Sequence, residues 1–120
     1  MTDALQTAHD FFDRYAHALL ARDEKAVAEL YGVPSLILFP GQAIAVSETR
    51  QTAEFFASSW DQYDGVDTVD KRLTVLAEAP GSLWVDVTWS YRGAPRERFC
   101  YQLVEGPAGH RIAVLTPLEL

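Results

Sequence analysis

The side chains with the most chemical potential in this sequence lie in a few short patterns. Arg98, Cys100 and Gln102 occupy alternate positions, which puts a guanidinium, a thiol and an amide on one face of an extended segment. The guanidinium can hold a carboxylate through two parallel hydrogen bonds. A buried amide there needs a partner or a ligand. Cys100 is the lone cysteine, and local spacing brings no histidine beside it, so it reads more plainly as a small buried hydrophobe than as a nucleophile. Arg98 reads more readily near the open end of a sheet, with its head in solvent, since arginines are seldom fully buried. His9, Asp13 and His17 stand four residues apart, a spacing that can present metal ligands from one helix stripe. Asp61, Asp64, Asp67 and Asp70 crowd one region but lack the calcium-loop pattern and its closing glutamate. No glycine-rich phosphate loop, serine–histidine–aspartate order or zinc-ligand spacing occurs, and neither a metal nor a cofactor is expected.

Composition narrows the partners. Seventeen acidic against 10 basic residues give a formal charge of −7, which disfavours nucleic acid and anionic membrane surfaces. Hydrophobic residues make up 48% of 120, the balance of one globular domain spanning residues 1–120. The start Met1-Thr2-Asp3-Ala4 carries no basic stretch ahead of an apolar run, and no apolar segment approaches a membrane span. The expected compartment is the cytoplasm.

Periodicity supplies the elements that must position these groups. Leu5, Ala8, Phe11, Phe12, Tyr15, Leu19 and Leu20 recur at spacings of three and four and predict a helix over 3–22, capped by Thr2 or Asp3. The His9–Asp13–His17 stripe is on its opposite, solvated side. Asp23 caps a second helix over 24–31, which Gly32 ends and Val33-Pro34 forbids continuing. Strands over 35–39 and 43–46 follow, then a third helix over 49–62 whose start is soft because Ser47 and Arg50 complete no capping box. The remainder alternates as strands over 66–78, 82–92, 96–105 and 110–116. Within 82–92, Leu83, Val85, Val87, Trp89 and Tyr91 share one face. Trp84, Asp86, Thr88 and Ser90 share the other. The order α-α-β-β-α-β-β-β-β predicts an α+β domain with helices on one side of a bent, mostly antiparallel sheet.

In this order the chain resembles the NTF2-like superfamily, particularly its SnoaL-like and ketosteroid isomerase-like branch. The local matches are Phe12-Asp13-Arg14-Tyr15 in the first helix, Arg22 through Val27 with Leu30-Tyr31 at the second, Phe39-Pro40-Gly41 after the first strand, the hairpin Gly93-Ala94-Pro95, and Gly109-His110-Arg111-Ile112. The resemblance implies a cone with an apolar pocket between helices and sheet. It also implies roles. Tyr15 takes the position of a tyrosine that donates to a substrate carbonyl. Gln102 takes that of a second donor on a late strand. Phe39 replaces the aspartate that moves a proton, so the usual base is lost. Glu119 falls at a pocket-rim position and is the one acid nominated as a substitute.

The expected pocket wall comprises Tyr15, Phe39, Phe56, Trp60, Trp89 and Leu115, with Arg98, Cys100 and Gln102 adding polarity. No catalytic residue is assigned. Three readings stay open: a domain binding a small apolar, carbonyl-bearing molecule; an isomerase-, cyclase- or dehydratase-type enzyme with its base elsewhere; or an interaction domain whose cone is plugged by aromatics. The face bearing Trp84, Asp86, Thr88 and Ser90 is the expected homodimer interface, following the family habit of pairing through the convex side.

Overall fold

A computed structural model describes residues 3–120 of the chain. Helix α1 (Ala4–Leu20) turns Ala8, Phe11, Phe12, Tyr15 and Leu19 to the core, and the Asp3 carboxylate accepts from the Leu5 and Gln6 amides at its N-terminus. Thr2, the other candidate cap, lies outside the described residues. Helix α2 (Glu24–Glu29) is capped by Asp23, which accepts from the Ala26 amide.

The chain then enters strand β1 (Tyr31–Phe39), four residues earlier than the sequence predicts. Gly32 and the cis Val33–Pro34 peptide lie inside this strand, where the pairing with the last strand shifts register. Strand β2 (Gln42–Val46) returns as a hairpin. Helix α3 (Thr49–Ala57) is shorter than expected, and a separate 3-10 turn occupies Trp60–Tyr63. Its start is firmer than expected, because Gln51 Oε1 accepts from the backbone amides of both Ser47 and Glu48. The long strands β3 (Val69–Ala79), β4 (Ser82–Tyr91), β5 (Ala94–Gly106) and β6 (Gly109–Pro117) complete the chain.

The six strands form one sheet in the order β2-β1-β6-β5-β4-β3. Every neighbouring pair is antiparallel except β1 with β6. The helices cover the concave face of this curved, open sheet. Strand β4 alternates strictly, with Leu83, Val85, Val87, Trp89 and Tyr91 buried and the intervening residues half-buried. No helix among the described residues is long and apolar enough to cross a membrane.

Arg22 fixes the junction between α1 and the loop after α3. It sits in the left-handed backbone region at φ 54°. Its guanidinium donates to the carbonyls of Leu19, Leu20, Tyr63 and Val66, and it lies over the Tyr63 ring at 5.8 Å. One side chain thus satisfies the open end of a helix and ties down the segment that forms one side of the cone's mouth.

Candidate functional site

The sheet register decides which side chains face the cone. Antiparallel partners share a face, so Val85 opposite Tyr101, Val87 opposite Phe99 and Trp89 opposite Glu97 all point to the concave side. Trp84 opposite Gln102, Asp86 opposite Cys100 and Thr88 opposite Arg98 point to the convex side. Burial selects this arrangement, because it places Phe99, Tyr101 and Leu103 in the core.

Between the concave face and the helices lies a cavity of about 500 Å³. The cone is not plugged. Tyr15, Phe39, Phe56, Trp89 and Leu115 stand on its wall. Arg98 borders it as well, but its guanidinium is turned to the convex side, where it binds both oxygens of Asp86, at 3.0 and 2.6 Å; it also donates to the Glu119 carbonyl at 2.8 Å.

Three expected wall residues lie elsewhere. Cys100 and Gln102 are on the convex face, for the pairing reason above. Trp60 packs against Phe56 and Tyr63 and donates to the Glu24 carboxylate at 3.3 Å, outside the cavity. Burial and the neighbouring Asp86 push the Cys100 thiol up, which favours its protonated form. Glu119 is exposed and offers Arg98 its carbonyl, while Leu118 and Leu120 on either side of it reach the cavity.

Two phenols supply the polarity at the cavity's depth. The Tyr15 and Tyr31 hydroxyls are 2.7 Å apart. Their mutual bond uses one of two hydroxyl protons, which leaves the other for an acceptor. Tyr101 accepts from Trp89 Nε1 at 2.9 Å and so retains its own proton for a second acceptor. Burial pushes both the Tyr15 and Tyr101 phenols well above the ordinary tyrosine range, and the neighbouring Tyr31 adds to it. They are therefore neutral donors at physiological pH. The rings of Tyr15, Trp89, Tyr101 and Phe12 pack within 4.8 to 6.1 Å of one another, which locks the donors in place.

The acidic group of the cavity is Glu97, which the sequence reading does not single out. It is opposite Trp89 on the concave face, and its Oε2 accepts from the Tyr91 hydroxyl at 3.1 Å. Burial raises its carboxyl, and the Tyr91 bond only partly offsets this. Its charge in turn helps raise the phenols of Tyr63, which burial pushes up to about 12, and Tyr91. The signal that could have found it is the strand alternation: Glu97 shares its face with Phe99, Tyr101 and Leu103, so an acid sits in line with the core. Among the described residues no group of three or more candidate ligands could hold a metal ion.

A family model described as an NTF2-like protein (DUF6841) matches residues 4–119. Among curated proteins, none matches this sequence. Solved structures do. One is a domain of unknown function with a cystatin-like fold from Nostoc punctiforme, at TM-score 0.72 and 14% identity, covering 100% of this chain and 80% of that one. Another is a ketosteroid isomerase-like protein from Erwinia carotovora atroseptica, at TM-score 0.69 and 15% identity, covering 100% of both chains. A de novo designed protein with a curved β-sheet is similar at TM-score 0.66 and 12% identity, covering 93% of this chain and 99% of that one. At these identities the likeness is one of fold.

The raised Glu97 carboxyl has a consequence for stability. In the fold it keeps its proton at pH values where the unfolded chain has lost it. The folded state then binds more protons, so stability falls as pH rises from the ordinary glutamate range through the raised value. Glu97→Gln, which keeps an acceptor for Tyr91, is expected to melt above the wild type at neutral pH. At a pH of about 4, where the wild-type carboxyl is largely protonated in both states, the two should coincide. Thermal melts across that range check this; a constant offset at every pH would contradict it.

Proposed function

This chain belongs to the NTF2-like family (DUF6841), and from that premise and the shape of its cavity we propose that it binds a small, largely apolar molecule carrying a carbonyl oxygen. One observation carries the reading: two neutral phenols stand on the aromatic wall of a cavity of about 500 Å³, Tyr101, which keeps its proton for an acceptor, and Tyr15, which does so when Tyr31 donates to it. That volume is in the range of small-molecule sites. A buried donor without an acceptor costs free energy, so an apolar guest with one well-placed oxygen gains over a plain hydrocarbon. The second donor is thus Tyr101, where the family comparison of the sequence alone points to Gln102. Methyl naphthyl ketone and the hydrocarbon of the same shape serve as probes, followed by tryptophan fluorescence. Tyr15→Phe or Tyr101→Phe should weaken the ketone about tenfold and leave the hydrocarbon unchanged. Equal losses for both probes, or no saturable binding, would sink the proposal.

A second reading is favoured by Glu97. Phe39 cannot accept a proton and Glu119 faces away, but Glu97 puts a carboxylate with raised proton affinity on the same wall as the two donors. A base shifted towards neutral pH is better matched to removing a proton next to a carbonyl, and two donors would stabilise the resulting enolate. On this reading the domain is an enzyme of proton transfer. Deuterium uptake at the methyl group of the ketone probe, followed by NMR in heavy water, separates the two readings. Catalysed exchange that Glu97→Gln lowers by about a hundredfold or more supports the enzyme. Exchange no faster than in buffer leaves a binding domain.

The convex face is proposed to meet a second copy of the chain. Trp84 is half-buried there, beside Gln102 and Cys100, and Val104 at the same face is 37% exposed. Light scattering should give a dimer for the wild type and a monomer for Trp84→Glu; a wild-type monomer at high concentration would exclude this interface.

A further inference from the structure

We infer that the ligand is an acid, a small apolar molecule whose carboxylate is received by Arg96 at the cavity mouth while its other end reaches Tyr15 and Tyr101. This rests on the binding reading above and names the ligand class.

The inference starts from an irregularity in the β4–β5 ladder. Trp89 is opposite Glu97 and Ser90 is opposite Pro95, so Arg96 has no partner across the strands. One extra residue of this kind is a β-bulge, which bends the strand and re-aims a side chain. Here it interrupts the alternation. Arg96 and Glu97 are consecutive, yet both border the main cavity. Both also border an adjoining hollow of about 330 Å³, with Gln62, Tyr63, Asp64 and Arg92.

The other arginines around this mouth are occupied. Arg22 donates to four carbonyls, Arg92 donates to the Asp64 carbonyl at 3.0 Å, and Arg98 holds Asp86. Arg96 makes no ion pair or side-chain hydrogen bond among the described residues. Its neighbour Glu97 turns to Tyr91 instead. Arg96 is exposed at the rim, and an unspent guanidinium there is matched to a planar anion, since its donor fork fits a carboxylate and it is weakly hydrated for a cation. The chain's charge of −7 offers no long-range attraction for an anion. Any gain must come from contact with Arg96 itself.

Two probes test this on the full chain: methyl naphthyl ketone, and acetylnaphthoate, the same ketone carrying one carboxylate. The wild type should bind acetylnaphthoate more tightly. Arg96→Gln should weaken acetylnaphthoate tenfold to a hundredfold and leave the ketone within about twofold, with Arg96→Lys recovering part of the loss. An unchanged melting temperature of Arg96→Gln shows that the fold persists. If the ketone binds but acetylnaphthoate binds no better, or if Arg96→Gln affects both probes equally, the acid inference fails while the binding reading stands. Binding of neither probe overturns both.

Discussion

The pairing of β4 with β5 governs the interior of this protein. These strands set Val85, Val87 and Trp89 opposite Tyr101, Phe99 and Glu97, and those six residues form much of the surface on which the helices rest. A slip of one residue would exchange every side chain with the opposite face, carrying Tyr101 and Glu97 outward and Gln102 and Cys100 inward. The burial of Trp89, Tyr101 and Leu103, each at or below 1% exposure, opposes such a slip. The same register creates the bond from Trp89 to Tyr101 and so sets which way the Tyr101 proton can be spent.

Helix α1 is held on this surface by aromatic packing. Phe12 touches Trp89 and Tyr101, and Tyr15 packs against Trp89, Tyr101, Tyr31 and Phe56. Four of these rings, Tyr15, Phe56, Trp89 and Tyr101, also stand on the cavity wall. Arg22 secures the far end of the same helix to the Tyr63–Val66 segment. The cavity is thus framed by elements fixed at both ends, as a preorganised site requires.

The polar groups of the cavity depend on one another electrostatically. Burial keeps the phenols neutral, and the Glu97 carboxyl, itself raised by burial, raises the phenols near it further. Donors that stay protonated share the wall with a carboxyl of increased affinity for its proton, and the bulge at Arg96 adds a cation at the rim. The site combines an apolar wall, a few convergent donors and a charged edge.

Much of this was legible in the sequence. Helical spacing identified α1 and the inward face that contains Tyr15. Strict alternation in β4 identified Trp89, and the element order pointed to the fold. Phe39, Phe56 and Leu115 were expected on the wall or filling the cone, and they border the cavity. Gln102, Cys100, Trp60 and Glu97 were misplaced or missed. Each depends on partners distant in the chain: the face of β5 is fixed by its register with β4 and β6, and Trp60 leaves the expected helix because α3 ends at Ala57 and a separate 3-10 turn carries it against Phe56 and Tyr63. Local periodicity says that a segment has two faces and which residues share each. Only the tertiary structure, by burying one face and pairing it across the sheet, decided that Tyr101 rather than Gln102 faces the cavity of this domain, and that an acid, Glu97, stands beside it.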